Sequence, residues 1–260
     1  MKEENIIEIE DLKDFVKVVN DINKDFKTTW FRGHENSSYT LTPSIFREPF
    51  SCSLERDFLL HFQSKSIPYL SKSFTAKNDF EWFFLMQHFG MPTRLLDWTS
   101  SAITALAFSI FFRDDANDNG KHFNKDIDIW CLAPLKLNGL ANINETDKIP
   151  NITADDQIKM IYETGSKVPN YPVAIFGPLN NERIVAQKGV FTLYPFSENV
   201  PKLEDDVKAD IFLKKITVKG QDRINTIKNE LSVIGMSETS LFPDLNHLSL
   251  ELRRELTQKA

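Results

Sequence analysis

The chain has 260 residues, of which 41% are hydrophobic, and its formal net charge is −6. This apolar content is enough for a folded core and excludes a largely disordered chain. The acidic balance excludes a general attraction to nucleic acid or to an anionic membrane, although a local basic groove is compatible with it.

The start of the chain and its longest apolar run indicate where it acts. The first ten residues, MKEENIIEIE, are acidic and lack the apolar segment of a signal peptide. The run from Ala102 to Phe112 is shorter than the roughly 20 residues that a spanning helix needs. Cys52 and Cys131 are too few for a disulfide framework. We therefore expect a cytoplasmic protein that does not contact a membrane, and the sequence leaves its oligomeric state open.

The first half of the chain is predicted to be mainly helical. Helices are predicted over residues 8–26, 55–70, 79–89 and 101–112. Pro68 bends or ends the second of them, and Gly90 ends the third. Residues 28–32 combine β-branched and aromatic side chains, which predicts a strand that ends in a turn at Gly33 and His34.

Residues 87–112 hold the densest combination of signals. Residues 93–98 are few and mixed in polarity, so we interpret them as a loop. The helix that follows is apolar around its whole circumference, which is typical of a helix buried at the centre of a core. The free N–H groups and the positive dipole at its start predict a place for an anion or a phosphate.

The second half of the chain is predicted to mix strands and helices. Strands are predicted over residues 127–132, 173–176, 190–194 and 210–218, and helices over residues 155–163 and 221–234. A last helix is predicted after the cap residue Asp244, whereas residues 113–126 and 136–153 are expected to be irregular.

No linker divides the chain, so we expect one α+β domain over residues 1–260. Its parts would be an N-terminal helix (8–26), a core (28–218) and C-terminal helices (221–258).

Arg32 is the first candidate for chemistry. A guanidinium fork suits phosphate better than an ammonium group does. At the end of a predicted strand, Arg32 either binds an anion or lies buried in a pair with a carboxylate such as Asp97. The two interpretations are compatible if a ligand displaces the partner.

Further polar residues lie near the central helix and near a late strand. Those near the helix are His88, Thr93, Arg94 and Asp97. They either cap and brace two helix ends or converge with Arg32 in a cleft. Gln187 precedes a predicted strand, where it is either a polar loop residue or a group that orients a ribose or an amide. The five histidines are scattered, so we predict no metal site.

Five segments together resemble the FRG domain family, which is named for a Phe-Arg-Gly motif. They are Phe31-Arg32-Gly33 and residues 41–47, 87–99, 186–191 and 241–245. The longest of them, QHFGMPTRLLDWT, is the most specific, and the resemblance extends over nearly the whole chain. It implies a bacterial, phage-associated protein.

A more distant resemblance is to the ADP-ribosyltransferase fold, which has three characteristic features. First, an early Arg contacts the dinucleotide, and second, a Ser/Thr-containing strand leads into a helix. Third, a late acidic residue directs chemistry at the nicotinamide ribose. Arg32 matches the first feature, residues 93–97 followed by 105–108 resemble the second, and Gln187 lies near the third. Gln cannot act as a general base where the transferases usually have Glu. The resemblance implies a mixed or antiparallel sheet with a buried central helix and peripheral helices.

The resemblance also implies roles for individual residues. It assigns catalysis to Arg32 and Gln187, and ligand contacts to Arg32, His34, His88, Thr93, Arg94 and Asp97. The implied ligand is NAD, as a substrate, or a related nucleotide, with no metal. The implied reaction transfers ADP-ribose to a macromolecular target or hydrolyses NAD, as a bacterial toxin or an anti-phage effector.

Two other functions stay open at this point. One is a non-catalytic sensor or interaction module that binds a nucleotide, a nucleic-acid end or a partner peptide. The other is a nuclease that uses Asp97, Glu35 and His88 with a divalent metal.

Overall fold

The structure is a computed structural model. It describes residues 2–70, 76, 78–112, 126–141, 148–152, 158, 162, 171–178, 182–197 and 202–258. The described part contains seven strands and ten α-helices, together with short 3₁₀ turns. The predicted α+β class is confirmed.

The strands are β1 (Ile6–Glu8), β2 (Trp30–His34), β3 (Leu95–Thr99), β4 (Ile127–Leu132), β5 (Val173–Ile175), β6 (Gly189–Leu193) and β7 (Leu213–Val218). The first five helices are α1 (Leu12–Phe26), α2 (Glu55–Ser66), α3 (Asp79–His88), α4 (Ala102–Phe111) and α5 (Pro134–Leu140). The other five are α6 (Glu182–Ala186), α7 (Ala209–Phe212), α8 (Gln221–Val233), α9 (Glu238–Leu241) and α10 (Leu245–Gln258).

All seven strands form one mixed sheet in the order β1-β7-β4-β2-β3-β6-β5. β1 pairs with β7 in parallel, and the other neighbours are antiparallel. The central strands β2 and β3 share a single register pair, Phe31 opposite Thr99, whereas each pairs over five positions with its other neighbour. The sheet is therefore joined weakly at its middle, next to Arg32.

Helix α4 packs on the sheet beside this junction and contacts β2 most extensively. Its residues from Thr104 to Ala107 are all buried, as the sequence predicts for a central helix. Gly33 permits the close approach, because a Cβ there would lie 1.9 Å from the carbonyl oxygen of Ala105. The Phe-Arg-Gly motif thus places Arg32 where strand and helix backbones nearly touch.

Several predicted element ends are confirmed. Gly90 follows α3 with a φ of +77°, in the left-handed region that favours glycine. Asp244 caps α10, because its Oδ1 accepts hydrogen bonds from the backbone N–H groups of Asn246 and His247, each at 3.0 Å. No helix in the described part of the chain is long and apolar enough to cross a bilayer.

Other predictions were wrong for identifiable reasons. The first helix begins at Leu12, since residues 6–8 pair with β7 and the Asp11 carboxylate caps Asp14 N at 2.8 Å. Residues 136–140, within the segment 136–153 that was expected to be irregular, belong to α5, which begins at Pro134. The first residues of the predicted strand 210–218 belong to α7, and β7 begins at Leu213.

The predicted loop at 93–98 is largely strand β3, in which only Asp97 is exposed. The predicted helix 155–163 and loop 113–126 fall almost entirely outside the described residues.

Candidate functional site

A cavity of about 300 Å³ lies where β2 and β3 separate. Three segments that are distant in the sequence contribute its polar groups. They are Arg32 of β2, then Gln87, His88 and Asp97 around α3 and β3, and finally Arg183 and Gln187 around α6. Phe84, Phe108 and Phe191 form apolar walls between them.

Arg32 is half-buried and its guanidinium contacts neutral acceptors. Nη1 donates to the backbone carbonyl of Asp97 at 2.5 Å, and Nε donates to Nε2 of His34 at 3.1 Å. The pairing that we considered, with the Asp97 carboxylate, is not the one observed. Burial lowers the pKa of the guanidinium, and the charge of Asp97 opposes that shift. Arg32 therefore presents positive charge to the cavity, and no carboxylate of the described residues is bonded to its guanidinium.

The Asp97 carboxylate is exposed to the cavity and held by an amide. Gln87 Nε2 donates to Asp97 Oδ2 at 2.8 Å, and Thr93 Oγ1 donates to Gln87 Oε1. The Thr93 hydroxyl in turn accepts from the backbone N–H of Leu95 at 3.2 Å. This chain of hydrogen bonds fixes the Gln87 amide with its N–H side toward Asp97.

Arg183 and Gln187 of the α6 region also line the cavity. Gln187 Nε2 donates to the carbonyl of Leu241 at 3.1 Å, and the guanidinium of Arg183 lies 4.0 Å from the ring centroid of Phe242. Burial lowers the pKa of Arg183, and Asp97 and Asp244 oppose the shift. Residues 241–245, a segment of the family resemblance, thus support the two cavity residues of the α6 region.

His88 also lines this cavity and is half-buried. Burial lowers the pKa of its imidazole, and the charge of Arg183 lowers it further. His34 does not line this cavity. It lies behind Arg32, 4% exposed, and borders a second chamber.

Thr93 and Arg94 are not cavity residues, contrary to the predicted ligand contacts. Thr93 is fully buried and acts through Gln87. Arg94 is 3% exposed, its Nε donates to the Glu55 carboxylate, and its Nη1 donates to the carbonyls of Tyr162 and Tyr194. Its Nε and Nη1 donate to groups of the protein interior, so its contacts support the bracing role.

The expected anion site at the start of α4 has little support from the geometry. The cavity is bordered by Ala105 and Phe108 on the side of the helix, and none of its first three residues lines it. Ser101 Oγ accepts from Thr104 N at 3.4 Å and caps this end.

The described residues also contain no group of three His, Cys, Asp or Glu side chains placed to hold a metal ion. Of the three residues considered for a nuclease, Asp97 and His88 line this cavity, whereas Glu35 lines the second chamber.

Two polar residues of the cavity, Gln87 and Arg183, are not among the candidates that the sequence indicates. Gln87 lies in the longest family segment, one residue before His88, and its role depends on a contact with Asp97 ten residues away. Arg183 lies on a helix of five residues, and its guanidinium contacts the ring of Phe242, which is distant in the sequence. The position of Gln87 within a specific motif was a usable signal, whereas Arg183 offered none.

The family model for the FRG domain matches residues 27–118. The chain therefore contains a segment that matches the FRG domain. Its FRG segment supplies Arg32, Gln87, His88 and Asp97, and Arg183 and Gln187 come from beyond it. Comparison with curated proteins and with solved structures gives no match.

Proposed function

We propose that the cavity of this protein binds a nucleotide of the NAD class. The observation that carries the proposal is the meeting of three distant segments, which bring two guanidinium groups, two amides and a carboxylate to one cavity. Guanidinium groups bind phosphate through paired N–H donors. Amides bind ribose hydroxyls or a carboxamide. The likeness to an ADP-ribosyltransferase in the order of these segments supports the same ligand.

The reaction that suits these groups is cleavage of the bond between nicotinamide and ribose. The bonding electron pair leaves with the nicotinamide nitrogen and neutralises the pyridinium charge. The ribose carbon becomes an oxocarbenium ion, for which the Asp97 carboxylate is the counter-charge. Water, or a nucleophile on a macromolecular target, then bonds to that carbon and loses its proton to Asp97 or to solvent.

In this mechanism the catalytic negative charge is that of Asp97, whereas the transferases usually have a glutamate at the position of Gln187. An amide cannot carry the charge, and the Nε2 of Gln187 donates to the Leu241 carbonyl. Gln187 is then a residue that orients the ligand with its amide oxygen, and Arg32 holds a phosphate. Loss of NAD harms a cell, so the activity suits the bacterial toxin or anti-phage effector that the family resemblance implies.

The second candidate function is a non-catalytic module that binds the same nucleotide. The residue type at Gln187 favours this binding module, because an amide at the position of the usual glutamate can still bind the ligand but carries no charge. The two candidates differ in what Asp97 does. In an enzyme, Asp97 stabilises the transition state, whereas in a binding module it only contacts the ligand.

The test measures nicotinamide release and NAD affinity for the wild type and for Asp97→Asn. Asn still accepts the hydrogen bond from Gln87, so the variant should fold. An enzyme should lose about 100-fold or more in kcat, with an NAD affinity within about threefold of the wild type. Asp57→Asn, on the exposed face of α2, is the charge-matched control and should leave both quantities unchanged.

The outcomes separate the candidates. If NAD binds without nicotinamide release, and Asp97→Asn alters affinity alone, the module is correct and the enzyme is not. If the wild type neither binds NAD nor releases nicotinamide in the presence of cell lysate, both are wrong.

A further inference from the structure

A second chamber of about 510 Å³ adjoins the first cavity. Arg32, Gly33 and Phe108 line both, so the two chambers form one groove with Arg32 at their boundary. The mechanism proposed above uses only the first chamber. The function of the second must follow from the groups that line it.

Aromatic rings form part of the lining of the second chamber. Tyr39 is 44% exposed, with its ring centroid 6.1 Å from that of His34. Phe108 and Phe112 of the α4 side lie 5.4 Å apart by ring centroids. Exposed aromatic faces around a cavity suit a flat heterocycle such as a purine, which stacks on them.

Arg47 brings a second guanidinium to this chamber. Its Nε and Nη2 both donate to the carbonyl of Thr42, which uses two of its five N–H groups. The segment that carries it is anchored, because the Tyr194 hydroxyl donates to the Leu41 carbonyl at 2.8 Å and Ile45 N donates to the Thr93 carbonyl at 3.4 Å. Arg47 is therefore presented from a fixed support.

The charges that line the second chamber are Arg32, Arg47 and Glu35. The observed contacts of the two guanidinium groups are to carbonyls and to an imidazole. Glu35 accepts a hydrogen bond from the Tyr39 hydroxyl at 3.3 Å. The balance at the boundary between the chambers is positive and suits an anion of more than one charge.

We propose that Arg32 and Arg47 together bind a pyrophosphate, and that the second chamber holds the adenosine half of a dinucleotide. The inference rests on the proposed function, which places the nicotinamide riboside half in the first cavity. A mononucleotide fills one chamber only, whereas a dinucleotide crosses the boundary and uses both guanidinium groups. The groove therefore selects a dinucleotide over either of its halves.

The test compares the affinities of NAD and nicotinamide mononucleotide by calorimetry. Nicotinamide mononucleotide reaches Arg32 with its single phosphate but not Arg47. Arg47→Ala should weaken NAD binding by about 10- to 100-fold and leave nicotinamide mononucleotide within about twofold. Arg32→Ala should weaken both ligands. Arg56→Ala, at an exposed position of α2 outside both chambers, is the charge-matched control and should alter neither affinity.

Retained binding of nicotinamide mononucleotide also shows that the variant is folded. If Arg47→Ala fails to fold, Tyr39→Ala applies the same test to the aromatic wall and should weaken NAD alone. Unchanged NAD affinity, or an equal loss for both ligands, overturns this inference and leaves the proposed function standing. A wild type that binds neither NAD nor nicotinamide mononucleotide overturns the proposed function together with the inference.

Discussion

His34 shows how a single residue can set the charge of the site. Its pKa is lowered to about 3, first by burial and then by the charges of Arg32, Arg47 and Lys215. The N–H donors of Arg32 and Trp130 point at its two ring nitrogens, at 3.1 and 3.3 Å. A neutral imidazole accepts a hydrogen bond at only one of its ring nitrogens, and a second ring proton would remove that acceptor as well. The imidazole therefore stays neutral behind Arg32 and leaves the guanidinium charge to the ligand.

This neutrality makes folding depend on pH. In the unfolded chain His34 takes up a proton below about pH 6.5, whereas in the fold it stays neutral down to about pH 3. Its contribution is therefore lost progressively as the pH falls through that window. Between pH 7 and pH 5 the wild type should lose about 2 kcal/mol more free energy of unfolding than His34→Gln.

Urea unfolding at the two pH values measures that difference. The carboxylates titrate in both proteins and cancel in the comparison. Equal pH dependence in the wild type and His34→Gln would show that the imidazole is protonated within the fold.

Arg32 and Arg94 show what the sequence can and cannot predict about a single residue. The side-chain type of Arg32 and its place in the Phe-Arg-Gly motif predict a contact with an anion, and the structure places Arg32 at the cavity. Arg94 has the same side chain within a more specific motif, yet Glu55 and two carbonyls occupy it in the interior. Only the tertiary partners distinguish the two arginines, and the partners of Arg94 are 39, 68 and 100 residues away.

At the scale of elements, the contact between α4 and β2 determines the shape of the site. Both chambers lie against this contact, since Gly33 and Phe108 line each of them. The helix backbone can approach the strand only where the strand has no side chain. Gly33 is therefore required by packing, and its φ is not in the positive region.

Gly33→Ala should lower the free energy of unfolding by about 3 kcal/mol or more, because the added Cβ would meet the Ala105 carbonyl and force helix and strand apart. Gly139→Ala is the matched control. A Cβ at Gly139, within α5, would have nothing within 4 Å, so that variant should be neutral or more stable by up to about 1 kcal/mol. Chemical unfolding measures the free energy of unfolding of both variants. Similar free energies for the two would contradict the role given to Gly33.

Elements with a plain periodic pattern were predictable, and those that depend on partners were not. The central helix and strand β4 follow from local composition, and the structure places them within one residue of prediction. β3 was interpreted as a loop because its pattern is short and broken by Asp97. It is a strand because β6 pairs with it over five positions, nearly 100 residues later.

At the scale of the whole molecule, the FRG segment is only part of a cooperative sheet. Within the matched residues 27–118, β2 and β3 share one register pair. β4, the other neighbour of β2, and β6, the other neighbour of β3, both lie outside the match. The same is true of Arg183 and Gln187 in the cavity. The sheet and the cavity of the segment that matches the FRG domain are thus completed by residues outside it.

A fragment of residues 27–118 should therefore fail to fold by itself. Both central strands would lose their five-position neighbours, and Trp30 and Trp98, which are 1% and 3% exposed in the full chain, would lose their cover. Unpaired strand groups and exposed indoles oppose a stable core. We expect the full chain to lose its buried tryptophan emission on unfolding in urea, and the fragment to show red-shifted tryptophan emission and no transition in urea. A sigmoidal transition with buried tryptophan emission in the fragment would show that residues 27–118 form an independent folding unit, and the site would then be built on that unit by residues added to it.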